Sequence, residues 1–162
     1  MYYERDLLIR PIRKFWYTPT LDPASFDISV FKSLKDFRKY MSNIVEILQN
    51  DGAEVILVSQ PYFYKTEMST EEEKVLWMDR GMCILDGKYP NQETMALAMD
   101  AYNMSAAAIA AKYKTTFVHG EPAIPKDLDY FIDDVHFTSL GAKILAEKIA
   151  EKIKLRKSKV TL

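Results

Sequence analysis

Gly52-Ala53-Glu54-Val55-Ile56-Leu57-Val58-Ser59-Gln60-Pro61 is the stretch that decides the fold class of this chain. From Glu54 to Ser59 it is a short apolar run rich in β-branched side chains, bounded by Gln60-Pro61. Apolar residues at successive positions, not alternate ones, predict a strand buried on both faces, as in a parallel sheet. Upstream, Leu34, Phe37, Met41, Ile44, Val45 and Leu48 recur at three- and four-residue spacing from Ser33 onward, which predicts one apolar helical face. Gly52 comes just after Asn50-Asp51, where a left-handed residue can end that helix. Helix, glycine turn and buried strand together make half of an α/β layer.

The same alternation continues downstream. Ser69 with Glu72 and Thr70 with Glu73 both have capping-box spacing, so the acidic run Glu71-Glu72-Glu73 predicts a helix start, not a metal site. Gly81, Gly87 and Pro90 interrupt the chain beyond it. Asn91 is placed to cap a long helix whose buried stripe is Met95, Met99, Tyr102, Ala106, Ile109 and Tyr113. Thr115 to Val118 reads as a second short strand, ending at His119-Gly120-Glu121-Pro122. Leu140, Ile144, Leu145, Ile149 and Ile153 then give the last helix its inner face. Helices alternating with buried strands predict a parallel sheet covered on both sides.

Composition narrows the function classes. The chain has 162 residues, 48% of them hydrophobic, which fits one domain with a real core. Its 22 Lys and Arg against 23 Asp and Glu leave a net charge of −1, a balance that points to neither nucleic acid nor an anionic membrane. The basic stretch Lys152 to Lys159 reads as the solvated end of a helix, near the negative end of its dipole. No apolar run is long enough to span a bilayer, and Met1-Tyr2-Tyr3-Glu4-Arg5 is no secretory leader. As it stands the chain reads as cytoplasmic, with its native location open. The single cysteine, Cys83, reads as a small core residue. Arg5 to Trp16, broken by Pro11 and succeeded by Pro19 and Pro23, reads as an irregular segment.

Chemistry concentrates in Asp133-Asp134-Val135-His136-Phe137-Thr138-Ser139-Leu140-Gly141, just before the last helix. A carboxylate three residues ahead of an imidazole can accept the Nδ1 proton, fix the tautomer and leave Nε2 free as a base. Thr138 or Ser139 can cap the helix behind it. Taken alone, this spacing also suits a capped helix start with a surface histidine. Ser59, at the carboxyl end of the first strand, and His119, at the end of the second, lie on the rim where open α/β sheets place ligands.

Asp133-x-x-His136-x-Thr138-x-x-Gly141, with Ile144-Leu145-Ala146-x-x-Ile149-Ala150 after it, resembles the last block of the SGNH (GDSL-type) hydrolases. Phe37 to Met41 and Gly52 to Pro61 are similar to that family's helix and fourth strand, and Tyr102-Asn103 is a further match. The resemblance runs over roughly residues 27 to 153, the second half of such a domain. It implies a partial flavodoxin-like three-layer α/β/α fold with a parallel sheet, over residues 27–155, between an irregular segment 1–26 and a basic tail 156–162. It also implies a serine ester hydrolase acting on an acyl or acetyl ester of a small molecule, carbohydrate or lipid, with neither metal nor cofactor. In that scheme His136 is the base and Asp133 its orienting carboxylate, with Asp134 as the fallback orienter.

The family's Gly-Asp-Ser turn, its oxyanion-donating glycine and its Gly-x-Asn-Asp block are not in this sequence. The chain alone is therefore expected to be inactive, with Ser59 the substitute nucleophile to consider. It is also expected to leave sheet surface that a homo-oligomer would cover. Two alternatives stand beside this expectation. One is a catalytically dead binding or assembly module. The other is a metal-dependent hydrolase using His136, Asp133, Asp134 and His119.

Overall fold

A helix leading into a strand recurs twice along the chain, and the two strands pair. The computed structural model describes residues 23–27, 31–78 and 88–160. In order these form β1 (Pro23–Ala24), α1 (Ser33–Asn50), β2 (Ile56–Val58), α2 (Thr70–Glu73), β3 (Tyr89–Pro90), α3 (Gln92–Lys112), β4 (Thr116–Val118), a 3-10 turn (Glu121–Ala123) and α4 (Ser139–Val160). The irregular segment expected over residues 5–16, and the readings of Pro19, Gly81, Cys83 and Gly87, fall outside the described residues.

The mixed α/β class is what the patterning predicts. β2 and β4 lie parallel, with Ile56 beside Thr116, Leu57 beside Phe117 and Val58 beside Val118. A second parallel pair, β1 with β3, joins Pro23–Ala24 to Tyr89–Pro90. The N–H of Asn91 also donates to the carbonyl of Ala24, and that of Phe26 to Thr94 Oγ1, tying this segment to the start of α3. The strands are shorter than the apolar runs that announce them, because the ladder pairs only Ile56 to Val58 with Thr116 to Val118.

Both helix-to-strand joints use the same turn. At the end of α1 the N–H of Ala53 donates to Leu48 and that of Gly52 to Gln49, with Gly52 at φ 79°. At the end of α3 the N–H of Thr115 donates to Ala110 and that of Lys114 to Ala111, with Lys114 at φ 51°. This is the Schellman closure, which satisfies the last carbonyls of a helix through one left-handed residue. Glycine adopts that conformation without a Cβ penalty, whereas Lys114 bears it. Ser69 caps α2 in a full box with Glu72, and the Asn91 side chain accepts the N–H of Thr94 to cap α3.

Helices flank the β2–β4 pair on both faces. Val55 and Leu57 pack with Val45 of α1 and Ile109 of α3 in one buried cluster. On the other face, Gly120 lies so close to Val58 and to Leu145 of α4 that a Cβ there would meet both within 3.0 Å. Arg156 of α4 donates to Thr116 Oγ1 at 2.6 Å and pairs with Glu54 at 2.7 Å. The larger cluster sits beyond the carboxyl end of β2. There Tyr62, Phe63 and Tyr64 pack with Leu76, Met95, Ile124 and Phe131.

Two expected apolar faces are less buried than their periodicity suggests. On α1 only Val45 is fully buried, while Ile44 and Leu48 are 49% and 40% exposed. α1 packs against α3 along one line, and no described element covers its other flank. Leu140, expected on the inner face of α4, is 40% exposed because it lies in the first turn, beside the His136 loop.

Candidate functional site

A short loop closed on itself holds the His/Asp stretch. Phe131 and Phe137 form an antiparallel bridge, the N–H of Ile132 donates to the carbonyl of His136 at 2.8 Å, and that of Thr138 to Tyr130 at 3.0 Å. Thr138 is the residue that caps α4. Its Oγ1 accepts the N–H of Gly141 and donates to the carbonyl of Asp129 at 2.6 Å. Gly141 is required here, since a Cβ would lie 2.3 Å from the carbonyl oxygen of Tyr130. The loop is thereby fixed on both sides of the histidine.

Within it the Asp133 carboxylate is fully buried and faces the imidazole. His136 Nδ1 lies 2.9 Å from Asp133 Oδ1 and 3.0 Å from Oδ2. Oδ1 also accepts the backbone N–H groups of Val135 at 3.1 Å and of His136 itself at 2.9 Å. A carboxylate already receiving two amide protons is an acceptor, so Nδ1 must be the donor. In the neutral ring Nε2 then carries the lone pair. The His136 side chain is 55% exposed, with no hydrogen bond at Nε2 among the described residues. This is the arrangement of an oriented base whose proton-accepting end is open to a reactant.

Asp134 does a different job. It too is fully buried, but its carboxylate turns away from the imidazole. It accepts Tyr64 O–H at 2.5 Å, the N–H of Trp77 at 2.8 Å and the N–H of Met78 at 3.3 Å, while its carbonyl accepts the N–H of Phe63 at 2.8 Å. Burial pushes this carboxyl above its ordinary value, and the hydroxyl and amide donors hold it back in part. The fallback role as orienter does not fit this geometry. Asp134 instead anchors the loop to the buried Tyr62–Tyr64 segment.

Ser59 is buried as well, and its Oγ accepts the N–H of Glu121 at 3.0 Å. That bond ties the ends of β2 and β4 together, and no contact joins Ser59 to His136 among the described residues. The residue that reaches the histidine loop from β2 is the next one, Gln60. Its Nε2 donates to the carbonyl of Pro61 at 2.9 Å and lies 3.4 Å from that of Val135. Asn103 brackets the Gln60 backbone, accepting its N–H at 2.7 Å and donating to its carbonyl at 2.9 Å. Periodicity on α3 gives no hint of this clamp, although the Tyr102-Asn103 pair carries part of the family resemblance.

His119 lies elsewhere, stacked edge-on against Phe117. It lines an open cavity of about 380 Å³ between β4 and α4, with Lys148, Glu151, Lys152 and Leu155. Among the described residues no three metal-binding side chains converge, so the combination of His136, Asp133, Asp134 and His119 is not assembled as one site.

No protein-family model, curated protein or solved structure matches the chain. No helix of the described residues is long and apolar enough to cross a membrane.

Proposed function

We propose that this chain carries the histidine–aspartate half of an SGNH-type serine ester hydrolase, with His136 as general base and Asp133 orienting it. The observation that supports this most directly is the two-oxygen contact of the buried Asp133 carboxylate with Nδ1, beside an exposed Nε2. A surface histidine in a capped helix start needs no buried carboxylate behind it. In this reading the β2–β4 pair, with α1 and α3 on one face and α4 on the other, is part of a flavodoxin-like three-layer domain. The substrate is an acyl or acetyl ester, and His136 takes the proton of a serine as the acyl-enzyme forms.

Ser59 is not that serine, because its hydroxyl is buried and engaged by Glu121. No side-chain hydroxyl is hydrogen-bonded to the His136 ring among the described residues, so the chain by itself is expected to turn over no ester. A second reading, a catalytically silent assembly module on the same scaffold, is favoured by the exposed apolar flank of α1. The metal-dependent alternative loses Asp134 to its anchoring role.

The test is hydrolysis of p-nitrophenyl acetate by wild type and by His136→Ala, measured over a range of substrate concentration. The expected outcome is slow, non-saturating hydrolysis in wild type, no faster than that of a free imidazole. Saturable turnover lost in the variant would show that a nucleophile is present after all. Saturable turnover that survives His136→Ala would remove His136 from the mechanism and overturn the proposal.

A further inference from the structure

The cavity between β4 and α4 has no part in the proposed chemistry, and neither His136 nor Asp133 lines it. Its volume of about 380 Å³ falls within the size range of small-molecule sites. Val118, Pro122, Ala123 and Leu155 give it an apolar lining, and Lys148, Glu151 and Lys152 supply its charges. On α4 the positions of Lys148, Glu151, Lys152 and Leu155 are three and four residues apart, so these side chains share one flank of the helix.

The charges identify what fits it. Lys148, Lys152 and Arg156 follow one another at four-residue spacing, where like charges repel. Arg156 is offset by Glu54 at 2.7 Å, and Lys148 by Glu151 at 3.5 Å. Lys152 stands between them and pairs with no acid among the described residues. The helix dipole does not account for it, since that field acts within the last turn and Lys152 stands about two turns before the helix end at Val160. Two lysines against one glutamate leave the cavity a formal charge of +1, with histidine counted as neutral. A single negative charge on an apolar body answers both the charge and the lining. A cation would meet the lysines, and an uncharged ligand would leave Lys152 without a counter-charge.

We propose that this cavity binds a small monocarboxylate with an apolar body, such as a medium-chain fatty acid. Its carboxylate lies at Lys152 and Lys148, and its chain runs along Val118, Pro122, Ala123 and Leu155. Exposed ion pairs contribute little, so burial of the chain supplies most of the affinity and the lysines select the sign of the ligand. The site does not depend on the esterase proposal.

Titration of the nitrogen-15-labelled whole chain with sodium octanoate, followed by amide chemical shifts, tests this. Saturating shifts are expected at His119, Glu121 and Ala123 and along Lys148 to Leu155. Octylammonium, with the same chain and the opposite charge, should bind wild type at least about tenfold more weakly. Lys152→Glu, at an exposed position, should weaken octanoate by about tenfold. Lys143→Glu makes the same charge change on the same helix outside the cavity, and should leave the affinity unchanged. Absence of saturable shifts, or equal binding of octanoate and octylammonium, would overturn the proposal. So would an equal loss in Lys143→Glu and Lys152→Glu, which would reduce the effect to overall charge. Shifts confined to the 133–138 loop would place the acid at the histidine and overturn it as well.

Discussion

Asp133 and Asp134 are adjacent, chemically identical and both fully buried, yet their carboxylates meet different partners. Asp133 turns toward the half-exposed imidazole, with both oxygens on His136 Nδ1. Asp134 turns inward and receives Tyr64 O–H and the backbone N–H groups of Trp77 and Met78. One holds the imidazole at Nδ1; the other fastens the loop that carries it. The pair shows that a buried carboxylate is not in itself a sign of catalysis. The direction it faces and the donors it meets decide its role.

Asp134→Ala is the largest expected disruption of this contrast. It removes the buried carboxylate that accepts Tyr64 O–H and the N–H groups of Trp77 and Met78, and hydrogen bonds to a charged group contribute about 1.5–3 kcal/mol each. A loss on the order of 3 kcal/mol is expected, read as a lower denaturation midpoint with an unchanged slope in urea. A loss within experimental error would mean that the loop is held chiefly by the Phe131–Phe137 bridge and the Thr138 cap.

A smaller effect separates the two aspartates by pH. Burial raises the folded-state pKa of Asp134. Between the ordinary aspartate value and the raised one, the folded state therefore holds more protons than the unfolded state. Stability contributed by this group is fully present below that window and is lost as pH rises through it. The stability of wild type relative to Asp134→Asn should accordingly fall with rising pH across the carboxylate range. A difference independent of pH would mean that the three donors cancel the desolvation of the carboxylate.

Much of this arrangement is legible in the sequence, and the illegible part has a physical pattern. Local signals read well: Gly52 ends α1, Ser69 and Asn91 cap their helices, and the β-branched run gives β2. Lys114 makes the same left-handed turn as Gly52, but a lysine carries no mark of that conformation. Tyr62, Phe63 and Tyr64 come after a proline and form no regular element, so periodicity passes over the centre of the larger cluster. Strands β1 and β3 are two residues each, too short for any pattern. In the site, His136 and Asp133 emerge from spacing within one loop. Asp134 and Ser59 are separable from them only by their partners, Tyr64 and Glu121, which lie 70 and 62 residues away in the chain.

The subtlest expected change tests the other aspartate. A free imidazole holds its proton mainly on Nε2, which would leave Nδ1 as the acceptor. In this loop the Asp133 carboxylate already accepts the amide protons of Val135 and His136, so it can only receive from Nδ1. Wild-type His136 should therefore show the Nδ1–H tautomer in its neutral form, with an unprotonated Nε2 in the nitrogen-15 spectrum of the ring. Asp133→Asn keeps an oxygen for the two amide protons, so stability should change by only about 1 kcal/mol or less. It removes the charge that holds the ring proton at Nδ1, and the tautomer should shift toward Nε2–H. Such a shift without unfolding would separate an orienting carboxylate from a structural one. An unchanged tautomer would mean that the loop backbone fixes the ring, and would leave Asp133 with no more chemical purpose than its neighbour.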